Sequence, residues 1–223
     1  ESGIPDFRSE TGIYNTVHKY GCSPEQILSH TFFMRKPEIF YDFYKSTMVY
    51  TDAEPNEAHK ALAKLEKLGK LKAVVTQNID NLHERAGSRR IIHLHGELTK
   101  VCSSRDPYNP HYIKELKPDE YEVKFGDKAG DGTQLRPFIV WFGEPVPEIE
   151  TAVNYVEKAD IFVIIGTSMN VYPAAGLLNY VPREAEVYLI DPKPVDVHSM
   201  RRIHVIQKGA SEGVRELRSL LQS

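Results

Sequence analysis

The sequence predicts an α/β fold, a parallel sheet with helices on both faces and one small irregular insert. Three observations carry this. Runs rich in Val, Ile and Leu at 71–75, 91–94, 161–165, 187–190 and 203–206 are predominantly apolar, broken by Lys72, His93 and His204 alone, as strands buried on both faces are. Amphipathic segments at helical spacing alternate with them. Three runs end in polar turns of one style, Gln77-Asn78-Ile79-Asp80, Gly166-Thr167-Ser168 and Asp191-Pro192. In an open α/β sheet, ligands bind outside those carboxyl ends.

Taken in order, residues 1–35 are rich in Gly, Pro and Ser with Phe7, Tyr14, Tyr20, Phe32 and Phe33 interleaved. They read as a long loop and one or two short helices, and a loop of that length is uncommon unless functional. Over 37–50, Phe40, Tyr41, Phe43 and Tyr44 sit at near-helical spacing, which predicts a helix with an aromatic face on a small core. Asn56 is an N-cap candidate before Ala58, Ala61, Leu62, Leu65 and Leu68, a helix stopped by Gly69. Strand 71–75, a helix over 79–86 stopped by Gly87, and strand 91–94 follow. From 101 to 133 the paired Ser, Pro and Gly positions read as an irregular stretch with one hairpin, too poor in apolar residues to fold alone. Strand 138–142 runs into Gly143-Glu144-Pro145, and helix 149–158 turns Val153 and Val156 inward. Strand 161–165, a short helix over 174–180, and strands 187–190 and 203–206 come next. A closing helix, 212–221, buries Val214, Leu217, Leu220 and Leu221. There is no internal repeat. The expected organisation is one domain, 1–223, whose Rossmann-like part (1–100 and 135–223) carries a small helical insert near 9–50 and the irregular insert 101–134.

Composition narrows the function. The 223 residues carry a formal charge of −3, so no overall basic field attracts nucleic acid or an anionic membrane. Arg89-Arg90 and Arg201-Arg202 read as solvated surface. No apolar run approaches the ~18 residues of a membrane span. Cys22 and Cys102 are the two cysteines, which excludes a disulfide framework or a cysteine-based zinc site by count and points to a reducing, cytoplasmic setting. The chain opens at Glu1 inside loop chemistry, so upstream sequence is expected.

The chemistry gathers between Thr76 and Gly96. Glycine lets backbone approach a ligand, Thr and Ser donate to phosphate or ribose oxygens, and an acid at a strand end binds ribose hydroxyls. Together the polar strand ends point to a nucleotide site, although no Gly-x-Gly-x-x-Gly or Walker pattern is present. His95 is the candidate general base, since an imidazole with a reference pKa of about 6.5 is poised to accept a proton near neutrality. His93 reads as structural. A competing reading joins His93 and His95 with His83 or Asp80 as ligands of a divalent-metal hydrolase. Both stand on the residues alone.

Six ordered motifs then resemble the sirtuin family of NAD-dependent protein-lysine deacylases across nearly the whole chain. They are Glu1-Ser2-Gly3-Ile4-Pro5-Asp6-Phe7-Arg8, Thr76-Gln77-Asn78-Ile79-Asp80, His95-Gly96, Phe142-Gly143-Glu144, Gly166-Thr167-Ser168 and Val171-Tyr172-Pro173-Ala174-Ala175. The resemblance implies a deacetylase that uses NAD as co-substrate on acetyl-lysine proteins. Phe7 would shield the reacting ribose carbon and Arg8 lie near the phosphates. Gln77, Asn78, Ile79 and Asp80 would surround the nicotinamide and its ribose, Asn78 counting with His95 as catalytic. Gly166, Thr167, Ser168, Asp191, Gly209 and Ala210 would hold the adenosine half. The acyl-lysine backbone would add as a strand between a segment holding Val140, Phe142, Gly143 and Glu144 and one holding Val171, with Tyr44 also facing substrate. The acyl oxygen would attack the ribose carbon, nicotinamide would leave, and His95 would take a ribose hydroxyl proton, giving free lysine and O-acyl-ADP-ribose.

Departures from the family pattern carry expectations too. Stretch 101–134 holds Cys102 where the pattern has two cysteine pairs, so a zinc-free variant held by packing and turns is expected. Tyr44-Lys45-Ser46-Thr47 lacks the Arg of the acidic-acyl preference, which favours neutral acyl groups. The family's first strand and Gly-Ala-Gly turn would precede Glu1. A non-catalytic NAD or ADP-ribose-binding module is the alternative from another class.

Overall fold

A computed structural model of the chain describes residues 1–4, 20–47, 52–117, 123–167, 174–194 and 202–221. The chain forms two compact units, one of Glu1–Glu54, Asn78–Asn81 and His95–Pro145, the other of Pro55–Gln77, Leu82–Leu94 and Val146–Ser223. Of its five passages between them, those at Gln77/Asn78 and Leu94/His95 fall inside the two motifs densest in polar chemistry. The helical stretch and the irregular stretch, expected as separate excursions, thus fall in one unit.

In the first unit, Ser23 and Gln26 form a reciprocal capping box around α1 (Pro24–Ile27), with Pro24 in the first turn where its missing N–H costs nothing. Ser29 caps α2 (His30–Arg35). On α3 (Pro37–Thr47), Phe40, Tyr41, Phe43 and Tyr44 are buried while Asp42, Lys45 and Ser46 are exposed, the one-sided pattern read from spacing. That face meets Ile27, Phe33, Val101, Ile139 and Trp141 in one core. Phe33, Phe40 and Trp141 pack with centroids 4.9–5.2 Å apart, and each such pair contributes about 0.5–1.5 kcal/mol beyond area burial.

The floor of this unit is an antiparallel sheet. Strand β3 (Gly96–Ser103) lies between β4 (Lys114–Glu115) and β5 (Leu135–Ile139). β3 is hard to see in sequence because its register shifts between Glu97 and Val101, which breaks the alternation of burial. β5 also begins and ends earlier than the apolar run 138–142 suggests. Its ladder runs from Ser103↔Leu135 to Gly96↔Ile139, and the Trp141 N–H beyond it is taken by the Glu144 carboxylate instead.

The second unit is the α/β part and contains the strands β1 (Val74–Thr76) and β2 (Ile91–His93). These two pair in parallel. β6 (Ile161–Ile165), β7 (Glu186–Ile190) and β8 (His204–Ile206) form a second parallel ladder, order β6-β7-β8. Alternation along β7 shows that both faces are covered. Val187 and Leu189 join Ile92, Leu94, Ala152 and Val156 in one cluster, while Tyr188 and Ile190 join Ala58, Val214 and Leu217 in another. Ala152 and Val156 come from α6 (Ile149–Val156), Ala58 from α4 (Glu57–Lys67), and Val214 and Leu217 from α7 (Ala210–Leu220). Asn56 caps α4 as expected, and the reciprocal partner is His59 rather than an acid or amide. Helix α5 (Leu82–Ala86) is shorter than 79–86 because 78–81 belongs to the other unit. Segment Ala174–Tyr180 is a 3₁₀ helix. Among the described residues no helix is long and apolar enough to cross a membrane.

Candidate active site

The second unit presents its polar residues at the carboxyl ends of its strands. Gln77, directly after β1, donates from Nε2 to Thr167 Oγ1 at 3.3 Å, so the end of β1 is held beside the end of β6. Gly166 has φ +61 with nothing within 4 Å of where a Cβ would stand, and its N–H donates to Ile190 C=O at 2.9 Å. Its backbone is therefore turned outward at a position other residues adopt only with strain. Asp191 ends β7 and accepts the Lys193 N–H on Oδ1 at 2.8 Å, a local turn that fixes the carboxylate. Gly209 is the N-cap of α7 without a side-chain cap bond, so Ala210 opens that helix with its first amides uncovered by any cap side chain. Of the cofactor residues named from sequence, Gln77, Gly166, Thr167, Asp191, Gly209 and Ala210 thus lie in one unit.

The first unit holds Asn78, Ile79, Asp80 and His95. Ile79 packs on its core and accepts the Leu98 N–H at 2.8 Å, which ties the 78–81 turn to β3. Asn78 is exposed and Asp80 half-buried. His95 is half-buried, and its carbonyl accepts the Val140 N–H at 2.8 Å. The following residue makes this possible. Gly96 is buried at φ +82, and a Cβ there would overlap Phe138 C=O and stand 2.8 Å from Ile139 Cα. The His-Gly pair is thus a backbone requirement: only glycine lets β3 and β5 approach closely enough for His95 to bond Val140.

Beyond β5 the chain is pinned at each step. Phe142 donates to Leu28 C=O at 2.9 Å while its ring is 47% exposed. Gly143 is exposed at φ +87 with open space where a Cβ would be. Glu144 does not point away into solvent. Its Oε1 accepts from Arg136 Nη1 at 2.7 Å, and its Oε2 from Arg136 Nη2 at 3.0 Å and from the Trp141 N–H at 2.8 Å. Arg136, 2% exposed, lies 3.2 Å from the Trp141 ring centroid. Sequence reasoning missed Arg136. The signal available was one arginine at the head of an apolar run whose far end carries a glutamate.

The remaining site candidates divide. Tyr44 is 2% exposed and stacks on Phe40 at 6.5 Å, within the aromatic core. Phe7, Arg8, Ser168 and Val171 lie outside the described residues. His93 Nε2 is 2.7 Å from Glu84 Oε1. Burial alone would raise the Glu84 carboxyl, but the His93 hydrogen bond and the neighbouring imidazoles outweigh it and hold it below its ordinary range. His83 packs edge-on against His59 at 4.7 Å. Both histidines of the metal-hydrolase reading in this unit therefore have structural contacts.

In the stretch 101–134, burial pushes the Cys102 thiol up to about 12. Ser103 Oγ is the knot of that stretch. It donates to Asp131 Oδ2 at 2.7 Å and accepts the Arg105 and Asp106 N–H groups at 3.0 Å. Thr133 donates to Asp131 Oδ1 at 2.6 Å. These hydrogen bonds from Ser103 and Thr133 hold the Asp131 carboxyl down at about 2.

Comparison with known proteins adds ancestry to this geometry. The family model described as the Sir2 family matches residues 1–173. An NAD-dependent protein deacylase of Bacteroides thetaiotaomicron is 68% identical over 222 residues, covering 99% of this chain and 92% of that protein. The structure of a Sir2 homologue bound to NAD is 35% identical, with a TM-score of 0.81 over 99% of this chain and 85% of the other. A Sir2 complex with a p53 peptide and NAD is 30% identical, with a TM-score of 0.76 over 99% and 88%.

Proposed function

Because the chain belongs to the Sir2 family, we propose that it is an NAD-dependent protein deacylase, transferring the acyl group of an acyl-lysine side chain to ADP-ribose with uptake of one solvent water and release of nicotinamide and free lysine. The observation that carries this reading is the His95–Gly96 junction, where the candidate base and the segment 140–144 share one backbone hydrogen bond.

The chain's own groups suit such a co-substrate. Outward backbone at Gly166, the Gln77 amide and Thr167 hydroxyl, the Asp191 carboxylate and the Gly209–Ala210 start of α7 are the donors and acceptors a dinucleotide calls for. NAD supplies an electrophilic ribose carbon whose bond to nicotinamide is broken as the acyl oxygen bonds to it. Asn78 and Asp80 hold the ribose end, and Phe7, Arg8 and Ser168 complete the cofactor set. His95 accepts a proton from a ribose hydroxyl, for which an imidazole is matched near neutrality. The acyl-lysine backbone pairs beside Val140, Phe142 and Gly143 on one side and Val171 on the other, which gives affinity with loose sequence selectivity. Neutral acyl groups, acetyl first, are the proposed preference, and zinc is not required. Incubation with NAD and an acetyl-lysine peptide tests the reading: nicotinamide and deacetylated peptide appear together, and a chain that binds NAD without turnover would instead be a binding module.

A further inference from the structure

We propose that Arg136 and Glu144 form a positioning clamp that presets the substrate-binding segment, Glu144 acting through the backbone around Trp141 and not by touching substrate. The inference rests on the deacylase reading, which makes 140–144 the receiving segment.

The clamp holds that segment and its entry at three points. Arg136 Nη2 donates to Ile139 C=O at 2.7 Å, on the residue just before it. The Glu144 carboxylate takes the Trp141 N–H in its middle. The Glu144 backbone N–H returns to Trp141 C=O at 3.0 Å, closing its end. Both backbone polar groups of Trp141 are thus consumed internally, while the neighbouring amides of Val140 and Phe142 are anchored to His95 and Leu28. What stays turned outward is Gly143, exposed and without a Cβ. A strand arriving there meets backbone already in place, so little ordering has to accompany binding.

The chemistry of the pair favours positioning over contact. Glu144 is 14% exposed, and both its oxygens are occupied by charge-assisted donors in a fork-to-fork arrangement. The Arg136 guanidinium carbon stands 3.2 Å from the Trp141 ring centroid and the side chain is buried, so its charge is matched by Glu144 and by the ring face. The Arg136 Nε and the Trp141 Nε1 are buried without hydrogen-bond partners. Those two groups cost free energy where they lie, and removing one partner of the ion pair strands the other's charge.

Trp141 is the only tryptophan of the chain, so its emission reports on the clamp directly. The test compares the wild-type protein with Glu144→Gln and with the double variant Arg136→Met/Glu144→Gln, which removes the pair without stranding a charge. Peptide KM, NAD KM and kcat are measured with an acetyl-lysine peptide, alongside Trp emission during peptide titration without NAD. The expected result is a peptide KM raised about tenfold or more in Glu144→Gln, with kcat and NAD KM within about threefold and a shifted emission maximum. The double variant should lie within about threefold of the single one, as partners in one interaction do. If Glu144→Gln does not fold, the double variant decides by the same thresholds. A peptide KM within about twofold of wild type, or an equal rise in NAD KM, overturns the clamp. Wild-type protein that releases no nicotinamide overturns the deacylase reading itself, and with it the role assigned to the clamp.

Discussion

Replacing Gly96 by alanine should damage both stability and turnover, and the size of the effect follows from the backbone. At φ +82 an L-residue is strained by about 1–2 kcal/mol. The added methyl meets Phe138 C=O and, at 2.8 Å, Ile139 Cα, atoms of the facing strand that no rotamer change can move. Relief requires β3 and β5 to part by about 1 Å, since carbon contacts settle near 3.5–4.0 Å. Overpacking of that kind costs about 1–3 kcal/mol, and the sum is about 2–5 kcal/mol. At the middle of that range, with about 2–4 °C per kcal/mol for a chain of this size, Tm falls by about 10 °C. The same displacement would stretch the Val140–His95 hydrogen bond from 2.8 Å beyond hydrogen-bonding range. Turnover should therefore fall further than folding does. Thermal unfolding followed by circular dichroism, with kcat/KM measured well below the transition, reads both. A Tm within about 2 °C of wild type and a kcat/KM within about twofold would refute the reasoning that the His-Gly pair is a backbone requirement.

Three further outcomes are expected. His95→Ala should lower kcat by about 10²–10⁴-fold while peptide binding survives, measured by single-turnover assay and Trp141 emission; turnover within about tenfold of wild type would remove His95 from the base role. Thr167→Val should raise NAD KM by about three- to tenfold through loss of the Gln77 hydrogen bond, and an unchanged NAD KM would detach that pair from the cofactor. Asp131→Asn should lower Tm at pH 5, and the difference from wild type should shrink as pH drops. The folded carboxyl sits at about 2 against an ordinary 3.8, so its stabilising effect is complete above 3.8 and is lost as pH falls through about 2. A Tm difference that stays constant from pH 5 to about 2 would show that the Ser103–Asp131–Thr133 knot does not depend on the charge.

How far the sequence carried depended on what each element is made of. β6 is legible to the residue at 161–165 because its five residues are uninterruptedly apolar, all β-branched but Phe162, and the aromatic face of α3 is legible from spacing. β3 is not, because a register shift scatters its burial pattern and because its pairing with β5 is a long-range fact. The polar strand ends of the second unit were found from their position after apolar runs, and Gln77 with Thr167 shows that two of them are joined. Gly96 reads in sequence as a motif partner of His95, yet its reason lies in the backbone of Phe138 and Ile139, which local sequence does not reveal. The motif places Glu144 among the substrate residues. Its engagement with Arg136 depends on a fold that brings the head and tail of one apolar run together.

The most direct test is to incubate the protein with NAD and an acetyl-lysine peptide and follow nicotinamide, deacetylated peptide and O-acetyl-ADP-ribose by mass spectrometry. The account predicts that the three appear in equal amounts and that none appears without NAD. Deacetylated peptide formed without nicotinamide release, or no product from either substrate, would contradict it.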